Sequence, residues 1–92
     1  MRPLSHVVPS ALMHLLRDTP LSNGKVGFAW RAVVGPALER ATHVRLEGRV
    51  LLVDATTAEW SREVKRSSPI ILERLQAILG ADVVERIEVR RA

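Results

Sequence analysis

The residues best able to do chemistry in this chain are its cations. Arg62, Lys65 and Arg66 recur at i, i+3 and i+4, the spacing that gathers side chains on one helical face. They fall away from the face that carries Trp60 and Val64, so they predict a positive ridge beside Ser67-Ser68. Arg45 and Arg49 project from the segment before it, and Arg90-Arg91 close the chain. A ridge of this kind neutralises a few phosphates of a nucleic-acid backbone. Glu47, Glu59 and Glu63 dilute it, and Glu63 stands three residues from Arg66, at ion-pair spacing. The expected backbone contacts are therefore Arg45, Arg49, Arg62, Lys65 and Arg66, with weak binding.

Catalytic chemistry finds no comparable set. His6, His14 and His43 are the only imidazoles. They lack the carboxylate and histidine spacing of a metal site. Cysteine is absent, which removes thiolate ligands, a thiol nucleophile and any disulfide framework. No H-E-x-x-H, G-x-S-x-G, P-loop or G-x-G-x-x-G pattern occurs. The reading is a protein with no catalytic residues, no metal, no cofactor and no small-molecule substrate.

The net charge of +4 is modest beside a pI of about 11.0. Twelve of the fourteen cations are arginine and tyrosine is absent, so little titrates in the alkaline range. The pI overstates the field at neutral pH. Aromatics are limited to Phe28, Trp30 and Trp60, too few for a platform that stacks successive bases. Neither a leader-like N-terminus nor an apolar run of about 20 residues is present. The expectation is a cytoplasmic domain without membrane contact.

The elements that must position the cations come from periodicity. A chain of 92 residues allows one domain, 1–92. Residues 10–17 read as a short helix after Pro9, with Val8, Leu12, Leu15 and Leu16 on one face. Asp18 to Gly24 read as a loop. Ser22 caps a second helix whose apolar stripe is Val26, Ala29, Trp30, Val33 and Val34, stopped at Gly35-Pro36. Residues 42–47 alternate apolar and polar, Gly48-Arg49 makes a tight turn and 50–55 form a second, more buried strand. Val44, Leu46, Leu51, Val53 and Ala55 are expected inward, and His43, Arg45 and Glu47 outward. Thr56 and Glu59 have capping-box spacing. Ser67-Ser68-Pro69 divides the next segment into helices 57–66 and 69–79, or kinks one helix. Gly80 ends it, and residues 84–90 read as a third strand.

The order α-α-β-β-α-α-β is an α+β fold, a three-stranded sheet with helices packed on one face. It is similar to KH-like folds of the second type. A KH module grips nucleic acid with a G-x-x-G loop between two helices. The corresponding segment, Arg66-Ser67-Ser68-Pro69, has no glycine, which weighs against sequence-specific RNA binding.

Trp30-Arg-Ala-Val-Val-Gly35 resembles the W-x-x-V-V-G signature of the DciA family of bacterial replicative-helicase loaders. The spacing to Gly48-Arg-Val-Leu51-Leu-Val53 and then to Ala58-Glu-Trp60-Ser-Arg-Glu-Val64 is similar as well. So are Ile71-Leu-Glu-Arg-Leu75, Leu79-Gly80 and Ile87-Glu-Val89. Together these cover residues 8–90. The resemblance implies a KH-like domain that binds a DnaB-type replicative helicase and assists its loading onto DNA, without an ATPase of its own. Both tryptophans lie on apolar stripes and are expected in the core, although an exposed ring edge is a natural hot spot for a protein partner. Two other readings stand beside this one: a general KH-like RNA- or ribosome-associated binder, and a protein-only interaction module.

Overall fold

The structure is a computed structural model and describes residues 21–91. The expected helix at 10–17, with His6 and His14, lies outside the described residues. The described elements run α1 (Asn23–Arg40), β1 (Thr42–Glu47), β2 (Val50–Ala55), α2 (Ala58–Leu79) and β3 (Arg86–Arg91).

Ser22 caps α1 as expected, its hydroxyl accepting from Lys25 N–H at 3.1 Å. The expected stripe Val26, Ala29, Trp30, Val33 and Val34 is buried throughout. Gly35-Pro36 does not end the helix, however. Gly35 takes φ 84 and ψ 170, a region open essentially to glycine alone. Pro36, unable to donate and fixed at helical φ, restarts the turn. The kinked helix then runs on to Arg40, and this last turn buries Leu38.

The hairpin matches the sequence pattern closely. β1 and β2 pair antiparallel from Thr42↔Ala55 to Glu47↔Val50. Gly48 has φ 60 and Arg49 does not share a positive φ, as in the type II′ turns that suit the right-handed twist of hairpins. Leu51, Val53 and Ala55 are fully buried, Val44 and Leu46 are half-buried, and His43, Arg45 and Glu47 are exposed. One residue departs from the alternation: Leu52, between Arg45 and Glu88 on the opposite face, is buried too.

The segment after the hairpin differs in two respects. The cap is Thr57, not Thr56: its hydroxyl accepts from Trp60 N–H at 3.2 Å. Thr56 is still held to the end of the sheet, its N–H donating to the Ala41 carbonyl at 3.0 Å. The two helices expected at 57–66 and 69–79 are a single helix, α2, with Pro69 inside it. The reason is burial. Val64, Ser67, Ile71, Leu75 and Ile78 form one continuous inward stripe across the proline, while Pro69 lies on the exposed side. Continuous packing outweighs the local penalty of a missing donor.

β3 begins two residues later than expected and pairs parallel to β2, so α2 is the crossover and the strand order is β1-β2-β3. Two bonds place its start. Gln76 donates through its side-chain amide to the Val84 carbonyl at 2.9 Å, and Glu85 N–H donates to the Arg49 carbonyl at 2.6 Å. Both helices contribute to one core with Leu51, Val53, Val44, Leu46, Ile87 and Val89 from one face of the sheet. The fold is thus α+β with a three-stranded sheet, and its described order is α-β-β-α-β.

Candidate functional site

Trp30 is the anchor of the first helix. It is 1% exposed, and its indole N–H donates to Thr42 Oγ1 at 2.9 Å. The Thr42 hydroxyl in turn donates to the Leu38 carbonyl at 2.8 Å. This buried relay joins the part of α1 before the Gly35 kink to the part after it, and joins both to the first residue of β1. A buried indole without a partner is costly, so the relay fixes where the post-kink turn lies. That turn carries Ala37 outward against the start of α2.

The first three turns of α2 carry the expected ridge. Arg62, Lys65 and Arg66 are exposed and line one shallow concavity together with Glu59 and Glu63. The structure therefore brings the three helical cations together. It also gives two of them carboxylate partners. Arg62 stands 3.8 Å from Glu59, and Arg66 is hydrogen-bonded to Glu63. Arg45 is paired with Glu47 at 3.0 Å on the hairpin. Among the described residues, Lys65 and Arg49 form no ion pair. The Arg62–Glu59 and Arg45–Glu47 pairs are exposed on both sides and hold by about 0–1 kcal/mol, so a phosphate can exchange for those carboxylates at little cost. Arg45 and Arg49 sit on the hairpin, outside the concavity that groups the helical three. Arg90 is drawn to Asp54 across the ladder at 3.2 Å.

A second concavity adjoins the first, lined by Ala37, Glu59, Trp60 and Glu63. Trp60 is only half-buried, so one part of its ring packs on the core while the rest is accessible. The two tryptophans are therefore not equivalent: Trp30 is core, and Trp60 is both core and surface. Glu59 and Glu63 belong to both concavities. Their side chains differ, at 77% and 13% exposed respectively, which makes Glu63 the wall between the two and Glu59 the rim. In the sequence these glutamates read only as diluents of the cations. Their spacing from Arg62 and Arg66 is visible there, but the concavity they line with Ala37 is not, because it depends on the kink.

His43 faces Asp54 across the hairpin. No group of three or more histidine, aspartate or glutamate side chains able to hold a metal ion occurs among the described residues. No helix among them is long and apolar enough to cross a membrane.

The family model described as Dna[CI] antecedent, DciA matches residues 3–89. That span contains the relay, the kink, the hairpin and both concavities. No curated protein and no solved structure matches the chain.

Proposed function

The chain belongs to the DciA family, and from that membership we propose that it is a non-catalytic adaptor of DNA replication that binds a DnaB-type replicative helicase and helps load it onto DNA. The single observation that carries this reading is the family match over residues 3–89. The mechanism is stoichiometric: the domain holds the helicase in a state open to single-stranded DNA and performs no covalent step. Weak backbone contact through Lys65 and Arg49, joined by Arg45, Arg62 and Arg66 when phosphate displaces their carboxylates, keeps the strand nearby. The site of action is the cytoplasm, at the nucleoid.

The α-β-β-α-β order supports a KH-like variant in which the two helices after the hairpin are fused. Fusion also bears on the RNA-binding alternative. Residues 66–69, where a KH module has its gripping loop, lie inside α2, and helix interior offers no free N–H groups to phosphate. Protein contact therefore gains over RNA contact.

The test is a loading assay. Purified helicase is mixed with circular single-stranded DNA, with and without stoichiometric amounts of this protein, and DNA-bound helicase is counted over time. Faster loading is expected, saturating at a fixed ratio to helicase. Loading unchanged at every ratio would refute the adaptor reading.

A further inference from the structure

We propose that the concavity of Ala37, Glu59, Trp60 and Glu63 is a docking site for a basic, partly apolar segment of a protein partner. The inference rests on the adaptor reading above and names the surface and the partner chemistry it lacks. Three observations converge. Half-buried Trp60 lines the concavity, and a guanidinium or ammonium group over an indole face is attracted by the ring quadrupole. Glu59, exposed and only loosely held by Arg62 at 3.8 Å, brings an available carboxylate beside that ring, while Glu63 is bonded to Arg66; the open carboxylate is complementary to a cation and repulsive to a phosphate. Ala37, the fourth lining residue, is exposed and ends at its β-carbon, which leaves the opposite wall open for an incoming side chain.

Position adds to chemistry. Gly35 redirects α1 so that Ala37 meets the start of α2, and the Trp30–Thr42–Leu38 relay fixes that turn. The site is thus held by core contacts and not by a loop, as a preorganised surface should be. Aromatic anchors in pockets with a polar rim are the residues that dominate protein interfaces. DNA is the poorer occupant here, because its phosphates would have to approach both carboxylates.

The shared carboxylates couple this site to the cationic ridge. Glu59 and Glu63 hold Arg62 and Arg66 in the free protein. A partner cation drawn to the same carboxylates releases those arginines toward solvent, where phosphate can take them. Docking of the partner and affinity for a DNA backbone should therefore rise together, as linkage requires.

The test uses the full chain, purified replicative helicase, and a short peptide of alternating leucine and arginine as a bare chemical probe. Two exposed positions are changed: Ala37→Arg, which plugs the concavity with the chain's own cation, and Glu59→Lys, which reverses the rim. Circular dichroism confirms that both fold. Helicase affinity is expected to fall at least tenfold in each variant, and the peptide is expected to shift the Trp60 indole N–H signal in wild type but not in Ala37→Arg. Helicase binding equal to wild type in both variants overturns the docking site while leaving the adaptor reading in place. A peptide shift at Trp60 that Ala37→Arg abolishes, with no helicase binding at all, sustains the site and removes the adaptor reading. Failure of both probes with wild type overturns both. Tighter single-stranded DNA binding by Glu59→Lys, with helicase affinity unmoved, assigns the surface to DNA and overturns the proposal.

Discussion

Replacing Thr42 by valine is expected to destabilise the domain by about 2 kcal/mol, although valine is nearly the same shape and more apolar. The hydroxyl makes two buried bonds, accepting from the Trp30 indole N–H at 2.9 Å and donating to the Leu38 carbonyl at 2.8 Å. The substitution does not affect them equally. The Leu38 carbonyl keeps a second donor, Ala41 N–H at 3.1 Å, so it is not orphaned. The indole N–H has no such reserve, and Trp30 is 1% exposed, so water cannot replace the lost partner. An orphaned buried donor costs about 1–3 kcal/mol, and the remaining single bond to Leu38 offsets little of that. For a domain of this size, about 2 kcal/mol corresponds to a drop in Tm of about 8–16 °C. Thr42→Ser is the control. It keeps the relay and removes one methyl group, for about 0.8 kcal/mol. Urea unfolding followed by tryptophan fluorescence measures both, with the slope checked for constancy so that the midpoint reports stability. The order expected is wild type, serine, valine. A valine variant as stable as wild type, or more stable than the serine variant, would show that position 42 matters through apolar packing alone and would refute the relay.

Gly35→Ala should destabilise by about 1–3 kcal/mol, because φ 84 with ψ 170 strains any β-carbon; thermal melting checks it, and helicase affinity should fall with it as Ala37 loses its place. Pro69→Ala should raise stability by about 2 kcal/mol, since it returns a donor to a continuous helix; an unchanged or lower urea midpoint would mean that the proline is matched to its surroundings. Lys65→Ala and Arg49→Ala should each reduce the slope of log K against log salt for single-stranded DNA by about 0.7, the value for one phosphate contact. Asp54→Asn should change stability by under about 1 kcal/mol, because its partner Arg90 is substantially exposed; a larger loss in a melting curve would assign the pair a structural role.

The hairpin is legible to the residue, because alternation and a glycine at the turn leave one register that buries Leu51 and Val53. The inward stripe of α1 is equally plain. The misses share a cause, which is that tertiary contacts override local signals. Pro69 reads as a break when only its neighbours are weighed, yet Val64 and Ile71 on either side bury the same stripe. Thr56 has the spacing of a cap, but its N–H is engaged by Ala41. Gly35-Pro36 reads as a stop, and it is a kink because Leu38 beyond it fills the core. The parallel partner of β3 cannot be read at all, since both edges of a hairpin are open to a third strand. In the candidate site, the cations and their grouping are visible from spacing. The concavity at Trp60 is not, because Ala37 reaches it only through that kink.

The central claim is direct contact with the replicative helicase, and sedimentation velocity tests it most directly. Nuclease-treated protein is mixed with purified helicase at micromolar concentration and physiological salt. A helicase boundary that sediments faster and carries this protein at a fixed ratio is the result the family membership leads us to expect. Two boundaries that migrate as the separate proteins do, at every ratio tried, would contradict it.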